Sequence, residues 1–264
     1  MDGIINKQPI FTNKKVSIIG DSISTFAGYL LEGYPSWYPH TGDRSSDVVS
    51  VDDTWWKKLI DATNSTLEVN ASYSGSAATD EIGFSPRVPL LGSPNVIFIA
   101  LGTNDSYRSV EIGEIDFDAE SYDLTQFAPA YIKGVKDTMA TYPYARIICL
   151  AFDMGVAYQD AIKTIAIHYG IEYIYVGDIS DIHPNKAEMQ AVSEKIYNTY
   201  TLSGLLANKV DIEEGKSLID ADYASTKSAI DNPKYIEAKT DSEGKLLAGR
   251  TFDGAAFENV GLSS

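Results

Sequence analysis

The sequence predicts an α/β protein built on a parallel sheet covered by helices, and three observations carry that reading. Short apolar runs alternate with stretches of helical period, the pattern of parallel strands joined by helical crossovers. One run, Asn95-Val96-Ile97-Phe98-Ile99-Ala100-Leu101, is apolar without a break, as a strand buried on both faces must be. Three of the runs end in polar turns containing glycine: Gly20-Asp21-Ser22, Tyr73-Ser74-Gly75-Ser76 and Gly102-Thr103-Asn104-Asp105.

Taken in order, Val16-Ser17-Ile18-Ile19 reads as a buried strand that closes in the Gly20-Asp21-Ser22 turn and opens a helix. Residues 29–53 are rich in aromatic residues, Gly and Pro, and include Pro35-Ser36-Trp37-Tyr38-Pro39-His40. A connection of that length is expected to wall a site, and Trp37 and Tyr38 are suited to stacking on sugar rings. Residues 53–60 form a capped helix whose Trp55, Trp56 and Leu59 read as core. Residues 67–70 and 95–101 are the second and third strands. A helix over 128–141 places Ile132, Val135 and Met139 inward, and Pro143 closes it. Residues 146–152 make a strand around Cys149, read as a buried, unreactive thiol because apolar surroundings disfavour the thiolate. Residues 160–169 are helical, with His168 read as a packed or surface histidine. A last strand over 171–176 leads into the polar loop 177–185, and a helix over 186–199 closes the domain.

The character changes near residue 201. Residues 213–230 are polar and helix-compatible, and runs at 235–240, 245–251 and 255–260 read as a three-stranded β-meander too small to be stable alone. The expected division is therefore a catalytic domain over 1–200 and an oligomerisation or attachment segment over 201–264.

With 21 Lys+Arg against 37 Asp+Glu, the chain carries a formal charge of −16, which repels phosphate backbones and anionic membranes. No nucleic-acid or membrane partner is expected. No run approaches the roughly 18 apolar residues of a membrane span, and the first residues lack a secretory signal, so synthesis in the cytoplasm is expected. A single cysteine rules out an internal disulfide framework.

The chemistry lies in the turns. Acyl transfer needs a nucleophile, a base, a group that orients the base, and donors for the oxyanion. Ser22 stands at the end of the first strand as nucleophile, and His183 is the histidine placed to reach the same sheet edge. The Ser22 N–H, the Gly75 N–H and the Asn104 amide would form the oxyanion hole.

The ordered set Gly20-Asp21-Ser22, Gly75, Gly102-Thr103-Asn104-Asp105 and His183-Pro184-Asn185 resembles the SGNH hydrolases, also called the GDSL esterase/lipase family, over residues 14–200. The resemblance implies a flavodoxin-like three-layer α/β/α sandwich and hydrolysis of esters, often acetyl esters of carbohydrates, with no metal or other cofactor. It also implies the roles just given for Ser22, Gly75, Asn104 and His183. One position departs: that family usually carries Asp three residues before its histidine, where this chain has Ser180. Asp181 is taken as the orienting acid, with Asp178 or a backbone carbonyl as the alternatives. The segments 213–220 and 240–245 look like parts of bacteriophage or prophage tail fibres, which implies a virion component, trimeric or otherwise oligomeric through its C-terminal segment.

The expected activity is thus a serine esterase that removes O-acyl groups, above all acetyl, from a carbohydrate through an acyl-serine intermediate. The rival readings are a glycan-binding or structural tail module that keeps the fold without turnover, and a lipase or thioesterase for long acyl chains.

Overall fold

The computed structural model describes residues 11–40 and 46–200, together with the backbone of two strands at 236–240 and 246–251. Contacts divide the chain into two compact units, Met1–Ser203 and Gly204–Ser264.

The first unit holds a five-stranded sheet of order β2-β1-β3-β4-β5, parallel throughout. Its strands are β1 (Lys15–Gly20), β2 (Thr66–Asn70), β3 (Val96–Ala100), β4 (Arg146–Ala151) and β5 (Glu172–Tyr175). The apolar runs explain the order. β3 is buried at every position, and β1 and β4 at every position but the first, so these three occupy the middle. The half-buried β2 and β5 take the edges. The helices are α1 (Trp55–Ala62), α2 (Phe84–Arg87), α3 (Thr103–Tyr107), α4 (Phe127–Thr141), α5 (Val156–Tyr169) and α6 (Lys186–Thr199). α1 packs with α6, and α4 packs with α2 and α5, giving the three-layer α/β/α sandwich.

The periodic elements lie where the sequence places them, with differences at boundaries. α5 starts at Val156, four residues before the apolar period begins, because its first turn is solvated and even Val156 is 69% exposed. The two short helices α2 and α3 carry no readable period at all. Trp55 and Trp56 are fully buried core residues, and α1 starts from a Thr54 cap whose Oγ1 accepts the Lys57 N–H at 3.3 Å. Cys149 is buried on β4, and burial pushes its thiol up to about 12. His168 is exposed and stacks on Phe117.

In the second unit, β6 (Ile236–Thr240) and β7 (Leu246–Thr251) pair antiparallel. The expected third strand at 255–260 and the helix at 213–230 lie outside the described residues.

The strand order matters for function. β1 leads to β2 on one side, and β2 then crosses to β3 on the other side of β1, so the chain reverses direction between β1 and β3. Ligands of open α/β sheets bind outside the carboxyl ends of the strands at such a point. Ser22 follows β1 and Asn104 follows β3.

Candidate active site

Ser22 opens a 3₁₀ turn immediately after β1. The Asp21 side chain caps that turn by accepting the Ile23 N–H at 3.0 Å, and Ser22 itself is 6% exposed. From 161 residues further along the chain, His183 places Nε2 at 2.9 Å from Ser22 Oγ. That is the hydrogen-bond distance a nucleophile and its general base require.

The loop carrying His183 is held by α6. Asn185 caps the helix, accepting the Glu188 N–H at 3.0 Å, while the Glu188 carboxylate accepts the Asn185 N–H at 2.8 Å and the Ser180 N–H at 2.6 Å. Burial opposes the charge on Glu188, but those hydrogen bonds outweigh it and keep the carboxyl below its ordinary range. Asp181 is exposed on this loop and accepts the Ile182 N–H at 2.7 Å. Asp178, also exposed, accepts the Tyr175 hydroxyl.

The residues expected to form the oxyanion hole lie in the loop after β2 and in α3. Gly75 has φ +82°, a conformation that a residue with a Cβ adopts only at a cost. The Asn104 amide donates to the Ser76 carbonyl at 3.0 Å with one N–H, leaving its second. Among the described residues no carbonyl or side chain accepts the N–H of Ser22 or of Gly75. The three expected N–H donors are therefore uncommitted among the described residues.

Residues that the sequence reading missed fix this loop. Arg87 is completely buried, and its guanidinium reaches four groups: the carbonyls of Gly20 (2.7 Å), Ala71 (2.8 Å) and Gly83 (2.7 Å), and Ser76 Oγ (3.0 Å). Asp105, next to Asn104, accepts the N–H groups of Ala78 and Thr79 at 2.7 and 3.3 Å and the Thr79 hydroxyl at 2.9 Å. Arg108 donates to the Gly75 carbonyl and pairs with Asp80 at 2.7 Å. A lone arginine amid the apolar residues of Phe84 to Leu91 was the one signal for Arg87 in the sequence.

The long connection after Ser22 does wall the site, but its rings are already engaged. Trp37 stacks on His183 with centroids 3.6 Å apart and planes at 6°, and on His40 at 4.2 Å and 7°. Two imidazoles so nearly centred on one indole must lie on opposite faces. Tyr38 is fully buried and donates its hydroxyl to the Pro184 carbonyl at 2.8 Å. The sugar-stacking expectation for Trp37 and Tyr38 is therefore corrected: neither ring has a free face.

Asp21 has a second property. Its Oδ2 is buried without a hydrogen bond, and burial lifts the carboxyl from 3.8 to about 7. The Ile23 N–H, the nearby Thr103 hydroxyl and the Arg87 charge offset that burial only partly; the hydroxyl acts as a close dipole, since it forms no hydrogen bond in strict geometry. Between pH 3.8 and about 7 the folded chain thus holds a proton that the unfolded chain has lost, so this group's contribution to stability is present at low pH and fades as pH rises through that window. Asp21→Asn keeps an acceptor for Ile23 and cannot ionise. Its melting temperature relative to the parent is expected to climb steadily between pH 4 and pH 7.5 in thermal scans; a constant difference would show that Asp21 does not titrate there.

The profile of the GDSL-like lipase/acylhydrolase family matches residues 14–200, which span every element of the site. The chain belongs to this family. As a GDSL-like acylhydrolase it is a carboxylic ester hydrolase, and solved structures agree. A protein described as a GDSL-like lipase from Bacteroides uniformis is 34% identical, with TM-score 0.67, over 71% of this chain and 95% of that one. A similarly described protein from Bacteroides ovatus is 32% identical, with TM-score 0.67, over 70% and 96%. A family two carbohydrate esterase from Clostridium thermocellum shares the fold at 19% identity and TM-score 0.51, over 72% of this chain and 64% of that one. No curated protein matches the sequence.

Proposed function

We propose that this GDSL-like acylhydrolase is a serine esterase that removes O-acyl groups, acetyl above all, from a carbohydrate. The observation that carries the catalytic part is the 2.9 Å contact between Ser22 Oγ and His183 Nε2. In this reading Ser22 attacks the ester carbonyl while His183 takes its proton, and the oxyanion is received by the N–H groups of Ser22 and Gly75 and the free N–H of Asn104. The imidazolium returns the proton to the departing alcohol, and water, activated by the same imidazole, then hydrolyses the acyl-serine. Asp181 is assigned the orientation of the imidazole.

Support for a sugar alcohol comes from the surface beside the site. A cleft of about 380 Å³ is lined by Thr103, Tyr107, Asp153, Met154, Asp181 and Ile182. Tyr107 on its rim is 73% exposed, an aromatic face still available to a sugar ring. The test is hydrolysis of p-nitrophenyl acetate and of acetylated glycans, with a serine-directed phosphonate located by mass spectrometry. Label on Ser22 and acetate release from a glycan are expected. Glycan binding with no hydrolysis and no label would replace the esterase reading with that of a binding module.

The same reading assigns residues 201–264 to attachment and trimer formation in a phage tail, supported by the tail-fibre likeness of 213–220 and 240–245. Sedimentation velocity is expected to give three times the 28.8 kDa chain mass; a monomer would overturn that assignment.

A further inference from the structure

We propose that Trp37 and Tyr38 form the element that positions the His183 imidazole against Ser22; the inference rests on the serine–histidine reading above. These two residues are tied to both partners of the pair, to Ser22 through the residues of its turn and to His183 directly. On the serine side, the Trp37 N–H donates to Thr25 Oγ1 at 2.7 Å, and that hydroxyl donates to the Ser22 carbonyl at 2.8 Å. The Ala27 N–H donates to the Tyr38 carbonyl at 2.8 Å and fastens the same segment to the turn. On the histidine side, the Trp37 indole covers one face of the imidazole at 3.6 Å, the Tyr38 ring stands edge-on at 6.3 Å and 85°, and the Tyr38 hydroxyl holds the carbonyl of Pro184. Burial pushes the Tyr38 phenol far above neutrality, so it remains a proton donor throughout the working range.

The consequence for the imidazole is specific. A ring lying flat on another cannot rotate about its Cβ–Cγ bond without lifting off, so the stack fixes the imidazole plane. The hydrogen bond at Nε2 fixes the remaining in-plane direction. Trp37 is held in turn by His40 on its outer face. Its Nε1 makes no hydrogen bond, so the indole acts through its faces alone. An indole face also favours an adjacent cation, and His183 becomes one as the tetrahedral intermediate forms. Trp37 is therefore a positioning residue whose contribution is greatest in the transition state.

The experiment compares Trp37→Leu, Trp37→Phe and Tyr38→Phe with the parent and with Ser22→Ala, using p-nitrophenyl acetate and thermal melts to show that each variant folds. Trp37→Leu is expected to lower kcat roughly 10- to 100-fold, with KM nearly unchanged, as misplacing a catalytic group does. Trp37→Phe, which restores a flat aromatic face, is expected to recover most of that loss. Tyr38→Phe frees Pro184 and is expected to cost less than Trp37→Leu, again in kcat. A Trp37→Leu enzyme with parental kcat, beside an inactive Ser22→Ala, would overturn the positioning role and leave the nucleophile assignment standing.

A second readout needs no turnover. Trp37 emission, taken as the difference between parent and Trp37→Phe, is expected to change when His183 is replaced by alanine in a His40→Ala background. His168→Ala, which alters a histidine stacked on Phe117, serves as the control and is expected to leave it unchanged. Emission indifferent to His183 would overturn the stack itself, whatever Ser22→Ala does.

Discussion

Ser22→Ala is expected to abolish the acyl-enzyme route, lowering kcat for p-nitrophenyl acetate roughly 10⁴- to 10⁶-fold, the range seen when members of a serine triad are removed. His183→Ala should fall in the same range, and the double variant should be little worse than either single one. The 2.9 Å contact makes the two side chains act as one unit, because the serine is a poor nucleophile until the imidazole takes its proton. Asn104→Ala removes a single oxyanion donor and should cost less, about 10²- to 10³-fold in kcat with KM nearly constant. Steady-state kinetics on the four proteins decide the matter. Additive losses in the double variant would mean that Ser22 and His183 do not share a step, and a Ser22→Ala enzyme at parental rate would remove the nucleophile assignment. Since Ser22 is 6% exposed and alanine only deletes its hydroxyl, the fold should survive and the loss should read as chemistry.

The pairing of Ser22 with His183 was legible in the sequence although 161 residues separate them. Once strands alternate with helices, a parallel sheet follows, and its carboxyl-terminal edge gathers every strand-end turn on one side. Position along the chain then ceases to matter. The same argument puts Gly75 and Asn104 at that edge, and the helix expected over 186–199 is α6, which the structure shows opening on an Asn185–Glu188 capping box. Trp37 was not legible in its actual position. An aromatic residue in an irregular connection shows that a wall exists, but whether its faces are open depends on where His40 and His183 come to rest, and that is a property of the assembled fold. α3 was missed for a related reason: five residues are too few to show a period, and its Gly102 start, at φ +120°, carries no capping side chain.

Arg87 was missed most completely, and its removal has the largest expected effect on stability. Replacing it with methionine keeps much of the volume of its stem but withdraws every hydrogen bond from the guanidinium. The carbonyls of Gly20, Ala71 and Gly83 and the Ser76 hydroxyl would then lose a donor together, in a place from which the arginine itself is wholly shielded from water. Unpaired buried polar groups cost about 1–3 kcal/mol each, and loss of a buried charged partner about 3–5 kcal/mol, so a destabilisation of at least roughly 3 kcal/mol is expected in urea unfolding. Burial lowers the guanidinium to about 10, which leaves it charged at neutral pH, and the nearby Asp21 and Asp80 favour that charge. Methionine therefore also strips Asp21 of a positive neighbour and should push its carboxyl further upward. The location matters as much as the magnitude. Gly20 ends β1 one step before the serine turn, and Ser76 follows Gly75, so one side chain holds the strand of the proposed nucleophile and the loop of the proposed oxyanion hole in register. Arg87→Lys keeps the charge but offers a single nitrogen that cannot span all four acceptors. It should recover part of the stability and less of kcat than of stability. Equal recovery of both would mean that Arg87 supports the core alone and has no part in aligning the site.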